Sequence, residues 1–345
     1  MNGMMERRVW QAGGRIVCGL VFVGTGLCQQ AGTSVGLRVS GRVPLRAAPE
    51  GIAEAIKVPG EGYAVRCKKG PTAQVRLYGR TGEFLRSLDD LGAAESMALD
   101  ADSRLWLPEL RQRRLSLYSL QGSLLDTVVI KKPSFAIHTI AFGPGSDRYF
   151  LGGCLPTGAM VTEGCRLVHE YDGRTNRYLR SFLSTTEEYP NWRDRNYLRL
   201  LSPQFDSLDS RRLYVTDVPA RGFWIIDLET GRTSKVTVGT KILPEVPGIV
   251  DAEQGAKLYH QLDTISRLCD TGDFIVLGIR RGVMPGSALV VFDHGGRFLA
   301  RIDTTPGTLV GRTLEGNLLF YGGPKDAGEI VEAKLVSSSG RGSRR

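Results

Sequence analysis

Long apolar runs and histidines are scarce in this sequence of 345 residues. The longest apolar stretch, residues 16–28, has 13 residues and includes three glycines, whereas a membrane-spanning helix needs about 20 apolar residues. A multispan membrane protein is therefore excluded. Disorder over most of the chain is excluded as well, because the hydrophobic residues, 41% of the total, are spread evenly and charges of both signs interleave.

Motifs of the common catalytic centres are also missing. Only four histidines occur, and the chain has no Cys-x-x-Cys, no His-Glu-x-x-His and no Gly-x-x-x-x-Gly-Lys-Ser/Thr. These absences remove the sequence support for zinc-ribbon, thioredoxin-like, zincin and P-loop chemistry. The question of enzymatic activity stays open at this point, and the sequence leans towards a protein that is not an enzyme.

The first 28 residues have the pattern of an export signal. A basic segment that ends at Arg15 is followed by the apolar residues 16–28 and then by polar residues. The pattern predicts a signal peptide at 1–28 and a mature protein in the periplasm or outside the cell. Lipid anchoring at Cys28 is the less favoured alternative, since Leu27 is larger than the residue usual before a lipidated cysteine. Without the signal the net charge falls from +9 to +7.

Four cysteines remain after the signal, and two of them stand close together in the sequence. Cys154 and Cys165 flank a loop between the apolar segments 149–151 and 166–168. If these segments pair as antiparallel strands, the two sulfur atoms come within bridging distance. The sequence therefore predicts a disulfide between Cys154 and Cys165 in an oxidising compartment, and buried free thiols at Cys67 and Cys269.

An apolar triplet recurs along the chain and is the main structural signal. The triplets are Tyr-Ala-Val, Leu-Trp-Leu, Tyr-Phe-Leu, Leu-Tyr-Val, Phe-Ile-Val and Leu-Leu-Phe, starting at residues 63, 105, 149, 213, 274 and 318. Turn residues separate each triplet from further short apolar segments, which predicts units of four antiparallel strands. Such units cannot bury both faces alone, and stacking them radially leaves no long free edge. Six units predict six blades.

The third strand and following turn have a recurrent form, best seen at residues 75–85, 115–125 and 289–299, the last reading Leu-Val-Val-Phe-Asp-His-Gly-Gly-Arg-Phe-Leu. This formula resembles NHL-repeat and related six-bladed β-propeller proteins. The resemblance implies an all-β, six-bladed β-propeller of four-stranded antiparallel blades over residues 50–336. The N-terminal segment 29–49 is expected to supply a closing strand, and residues 337–345 to form a disordered basic tail.

In propellers of this kind, ligands commonly bind at the loops between the second and third strands of each blade. Five of the six predicted loops contain Lys or Arg, which favours an anionic ligand such as a glycan or an acidic protein surface. Exposed loops also favour solvated charge without any ligand. The predicted binding residues in these loops are Lys68, Lys69, Arg111, Arg113, Arg221, Arg280, Arg281 and Lys325.

A long insertion at 184–201 extends the predicted binding region. Trp192, Arg193 and Arg195 combine contact area with directional hydrogen bonds, as binding surfaces do. The alternative is that these arginines pair with acidic residues inside the same loop. Nucleic acid is a disfavoured partner despite the basic loops, because an exported protein leaves the cytoplasm, where nucleic acid is found.

A metal-dependent lactonase-like hydrolase is the enzymatic alternative. Related six-bladed proteins hold a divalent cation in the central channel, and oxygen ligands from several inner strands suit Ca²⁺. The residues available for such a site are Glu54, Glu95, Asn196 and Asp263. No cofactor is expected under the binding-module interpretation.

Overall fold

Among the residues that the computed structural model describes, the regular structure is mainly β-strand, together with a short helix, α1 (Thr185–Glu188), and a 3-10 turn (Pro144–Ser146). All strands belong to six antiparallel sheets of four strands each, which confirms the predicted all-β six-bladed propeller. The structure describes residues 33–49, 51–69, 72–88, 91, 94–109, 112–133, 135–153, 165–188, 203–217, 221–239, 242–243, 261, 263–281, 287–323 and 328–339.

The first strand, β1 (Thr33–Pro44), belongs to the last blade, and the next twelve strands build blades 1 to 3 in chain order. Blade 1 contains β2 (Ile52–Val58), β3 (Gly62–Lys69), β4 (Thr72–Gly79) and β5 (Phe84–Leu88). Blade 2 contains β6 (Ala98–Leu99), β7 (Leu105–Glu109), β8 (Arg114–Tyr118) and β9 (Leu124–Val129). Blade 3 contains β10 (Thr139–Phe142), β11 (Arg148–Gly152), β12 (Arg166–Asp172) and β13 (Tyr178–Ser184).

The remaining strands complete the ring. Blade 4 contains β14 (Gln204–Asp206), β15 (Arg212–Thr216), β16 (Gly222–Asp227) and β17 (Thr233–Thr237). Blade 5 contains β18 (Thr264–Asp270), β19 (Ile275–Arg280), β20 (Ser287–Phe292) and β21 (Phe298–Ile302). Blade 6 contains β22 (Thr308–Arg312), β23 (Leu318–Gly322), β24 (Glu329–Ser339) and, as its fourth strand, β1.

Pairing of the two ends of the chain closes the ring. Strand β1 runs antiparallel to β24, from Thr33 opposite Ser339 to Pro44 opposite Glu329, with a bulge between Val39 and Gly41. The pairing lies within residues 29–49, the segment that was expected to supply a closing strand. Because β1 occupies the outer edge of blade 6, the last blade depends on residues from the opposite end of the chain.

Six apolar clusters fill the six interfaces between neighbouring blades. In blade 4, Leu213 and Val215 share a cluster with Phe150 of blade 3, whereas Tyr214 shares one with Ile275 of blade 5. Successive side chains of a strand point to opposite faces, so a strand covered on both faces needs consecutive apolar residues. This explains why the recurrent apolar triplets marked the second strand of each blade.

The first strands of the blades line the centre of the ring, where each contacts the first strands of the neighbouring blades. Strand direction alternates within a blade, so loops between second and third strands lie at the same end of the ring as the connections between blades. We call this end the loop face. The other end, formed by the remaining turns, is the turn face.

Candidate functional site

The antiparallel order of the strands places all the loops with predicted basic residues at the loop face. Lys68 and Lys69 end β3, and Arg280 ends β19. The β7–β8, β15–β16 and β19–β20 loops contain Arg113, Arg221 and Arg281, respectively. Other predicted binding residues lie outside the described part of the chain: Arg111, Trp192, Arg193, Arg195 and Lys325.

Loop-face arginines already have protein partners, as Arg281 and Arg221 show. Arg281 forms an ion pair with Oδ1 of Asp303. The same oxygen also accepts a hydrogen bond of 2.8 Å from Arg301 Nε. Arg221 donates from Nη2 to the backbone carbonyl of Leu243 at 3.2 Å. The loop face is therefore less positive than its count of basic residues suggests, because part of that charge is compensated locally.

Glu54 lies at the channel on β2, where it is a buried ion-pair partner. Its carboxylate accepts hydrogen bonds from Arg66 Nε at 3.2 Å, from the Met97 backbone N–H at 3.0 Å and from Arg267. Arg267 comes from β18 of blade 5, so this contact bypasses the inner strand of blade 6. Two guanidinium groups beside one carboxylate satisfy its charge and repel a divalent cation.

A second ion pair connects blades 4 and 6 at the channel. Arg312 of β22 binds Asp206 of β14 in a bidentate manner, with Nε–Oδ2 and Nη2–Oδ1 distances of 2.5 Å. Oδ2 of Asp206 also accepts the Asp270 backbone N–H at 2.9 Å. Burial alone would lower the pKa of Arg312, but the Asp206 carboxylate outweighs it and the pKa is raised. No local sequence pattern indicates either interblade pair.

The residues predicted for the alternative metal site have separate surroundings. Glu54 has the partners just described, and the carboxylate of Glu95 lies 2.6 Å from Nδ1 of His138. Asp263 precedes β18 and is half-buried, and Asn196 is not among the described residues. Within the described ranges, no group of three or more His, Cys, Asp or Glu side chains is arranged to hold a metal ion.

Cys67 and Cys269 are buried and not disulfide-bonded. Burial, followed by the charge of Asp206, raises the pKa of the Cys269 thiol to about 12, so this thiol is protonated and unreactive near neutral pH. Cys154 lies outside the described residues, and its disulfide with Cys165 stays a prediction.

The pattern Gly-Thr-Ser-Val-Gly at 32–36 matches the Gly-x-Ser-x-Gly form of a hydrolase nucleophile elbow. Such a serine sits on a sharp turn between a strand and a helix. Here Ser34 lies within β1 and pairs with Ser338 of β24. The match therefore gives no support for hydrolase chemistry.

His169 of β12 is buried, and it is stacked on Phe135 with 3.8 Å between the ring centroids. Burial lowers the pKa of this imidazole from 6.5 to about 4.

Acidification is expected to destabilise the protein through His169. Between pH 4 and 6.5 the unfolded chain binds a proton on this imidazole that the folded chain does not bind. Stability therefore falls as the pH drops through this window, by up to about 3 kcal/mol from this group. Urea unfolding of the wild type and of His169→Gln at several pH values measures the effect. Equal pH slopes for the two proteins would show that His169 does not contribute.

Residues 1–28, predicted as the signal peptide, are not among the residues that the structure describes, and neither are 340–345 of the predicted tail. Among the described residues, no helix is long and apolar enough to cross a membrane.

Comparison with known proteins gives matches at the level of structure alone. No family model and no curated protein sequence matches the chain. A member of the DUF4221 family from Bacteroides vulgatus superimposes with a TM-score of 0.57 at 9% identity, covering 88% of this chain and 99% of the other. A Bacteroides fragilis protein thought to be exported gives a TM-score of 0.56 at 9% identity, with coverages of 87% and 95%.

A gluconolactonase from Xanthomonas campestris is a third similar structure, with a TM-score of 0.52, 15% identity and coverages of 86% and 98%. At these identities the likeness concerns the fold and does not extend to activity. The chain is a six-bladed β-propeller with propeller neighbours, and its similarity to NHL repeats remains a resemblance in sequence pattern.

Proposed function

We propose that this protein is an exported binding module that recognises an anionic ligand or an acidic protein surface at its loop face. The observation that carries the proposal is topological. The loops between second and third strands contain Lys or Arg in five of six blades, and all of them lie at one end of the ring. A surface that concentrates one sign of charge attracts ligands of the opposite sign and speeds their encounter.

The long insertions between blades also favour the loop face as the binding surface. Both chain segments inserted between blades, at 184–201 and 241–260, start and end at the loop face because they connect a fourth strand to the next first strand. Loops on a rigid scaffold carry binding residues more often than the scaffold itself. The predicted binding residues Trp192, Arg193 and Arg195 belong to the first insertion.

The channel-centred lactonase finds less support than the binding module. Its proposed ligand Glu54 is occupied by Arg66 and Arg267. The Asp206–Arg312 pair joins non-neighbouring inner strands. A channel whose acidic groups are already neutralised by arginines is a poor place for Ca²⁺, which binds clusters of uncompensated oxygen ligands.

We infer export from the pattern of residues 1–28. An exported protein meets its partner in the periplasm or outside the cell. The fold relative from Bacteroides fragilis agrees with this assignment but is too distant to carry it.

Binding of a heparin-derived sulfated oligosaccharide tests the proposal. We expect saturable binding at low ionic strength that weakens as salt screens the charges. The triple variant Arg111→Gln, Arg113→Gln, Arg280→Gln should bind about tenfold more weakly, since a solvent-screened ion pair with the ligand contributes up to about 1 kcal/mol. The matched control replaces Arg174, Arg177 and Arg232, which are exposed residues of the turn face, by Gln.

The control variant should retain wild-type affinity, and thermal melts should confirm that both variants fold. Equal losses in the two variants would show binding through net charge alone. Absence of binding to the wild type at low salt would reject an anion-binding loop face.

A further inference from the structure

A cavity of about 390 Å³ lies on blade 3, beside the connection that joins blade 2 to blade 3. Its walls include Pro133 and Phe135 from that connection, together with Arg166, His169, Tyr178 and Ser181 from β12 and β13. The volume falls within the range of small-molecule sites in proteins, about 300 to 1,000 Å³. Arg166 and Tyr178 are exposed, so solvent reaches the cavity.

A β-bulge brings the polar side chains of this cavity together. Along β12 and β13, His169 pairs with Ser181, and after a register shift Tyr171 pairs with Tyr178. Without the shift, Tyr178 and Ser181 would point to opposite faces of the blade, because they are an odd number of residues apart. With it, the Tyr178 hydroxyl lies 2.8 Å from Ser181 Oγ, and that oxygen lies 2.7 Å from Nδ1 of His169.

The direction of these hydrogen bonds follows from the protonation of Nε2, the other ring nitrogen of His169. Nε2 of His169 lies 3.2 Å from the carbonyl oxygen of Gly153, which can only accept, so Nε2 carries the proton. Nδ1 therefore accepts from Ser181, and Ser181 Oγ accepts from Tyr178. Both hydroxyl protons are used inside the chain, which leaves oxygen lone pairs as hydrogen-bond acceptors for a ligand.

Arg166 adds a positively charged hydrogen-bond donor to the same cavity. Its side chain is exposed and has no hydrogen-bond or ion-pair partner within the part of the chain that the structure describes. A guanidinium group pairs with a carboxylate through two parallel hydrogen bonds. The ring of Phe135, held by stacking on His169, and Pro133 add an apolar wall.

We propose that this cavity binds a small hydroxylated carboxylate of the size of one sugar acid. The carboxylate pairs with Arg166, hydroxyl groups of the ligand donate to the oxygens of Tyr178 and Ser181, and the apolar face of the ligand packs against Phe135 and Pro133. The inference stands independently of the loop-face function, because none of these residues belongs to the predicted basic set.

The serine–histidine contact does not by itself indicate nucleophilic catalysis. For acyl transfer, His169 would have to accept the proton of Ser181, and burial makes its imidazole a weak base at neutral pH. The contact is better suited to fixing the orientation of Ser181.

Isothermal titration calorimetry with D-glucuronate, and with D-glucose as the neutral match, tests the proposal. We expect saturable binding of glucuronate at millimolar concentrations and at least about tenfold weaker binding of glucose, because a charge-assisted pair contributes more than about 1.4 kcal/mol. Arg166→Gln should reduce the affinity for glucuronate to that for glucose. Tyr178→Phe should weaken the binding of both glucuronate and glucose, since it removes one hydrogen-bond acceptor and keeps the aromatic ring.

Arg177→Gln, an exposed arginine of the same blade at the turn face, is the matched control and should bind glucuronate like the wild type. The loop-face triple variant should also bind it normally, which separates this site from the loop-face proposal. Equal affinities for glucuronate and glucose, an unchanged affinity in a folded Arg166→Gln, or no binding to the wild type would each overturn the inference.

Discussion

Replacing Arg312 by methionine is expected to lower the free energy of unfolding by about 3 kcal/mol. Removal of one partner of a buried ion pair leaves the other charge without compensation, which costs about 3 to 5 kcal/mol. The side chains of Arg312 and Asp206 are 14% and 15% exposed, so we expect the lower end of that range. Urea unfolding of the purified variant measures the change.

A matched control removes an arginine from an exposed pair. Arg297 pairs with Asp293 in the turn between β20 and β21, where its side chain is 79% exposed. Arg297→Met should cost less than about 1 kcal/mol. The double variant Asp206→Asn, Arg312→Met should recover part of the loss because no charge is then left unpaired. Equal costs for the two single variants would contradict the role given to the channel pair.

Removal of the closing strand is expected to have the largest effect on stability. A chain that starts at residue 46 lacks β1, which leaves the edge of β24 unpaired and uncovers the interface between blades 5 and 6, where Val35 packs with Leu335. We expect loss of the cooperative unfolding transition and aggregation through the open edge. A chain that starts at residue 29 is the control and should fold.

A peptide with the sequence of residues 29–46 provides a sharper form of this test. Adding it to the shortened chain restores the missing strand in trans, in the manner of β-strand addition. We expect the folded ring to reappear, as seen by circular dichroism and by a regained thermal transition. A shortened chain that unfolds with wild-type stability without the peptide would show that the ring does not need β1.

The blade count could be predicted from sequence because the relevant signal is local. A second strand covered on both faces requires consecutive apolar residues, as in Leu213, Tyr214 and Val215, and such triplets recur once in each blade. The exact bounds of the closing strand could not be predicted, since Gly36 and neighbouring polar residues in β1 interrupt the apolar pattern.

The interblade ion pairs could not be predicted because no local pattern encodes them. Arg267 and Glu54 are 213 residues apart in sequence, and Arg312 and Asp206 are 106 residues apart. Each pair also joins blades that are not neighbours, so even a correct blade assignment does not suggest it. The bulge that brings Tyr178 to Ser181 likewise depends on pairing that the sequence analysis did not address.

Amide hydrogen exchange with and without the sulfated oligosaccharide tests the central claim, that the loop face is the binding surface. We expect slower exchange in peptides that cover the loops at 110–113, 217–221 and 281–286. Exchange in the turns at 173–177 and 228–232 of the turn face should stay unchanged. Protection at the turn face, or protection spread equally over both ends of the ring, would show that the ligand does not bind specifically at the loop face.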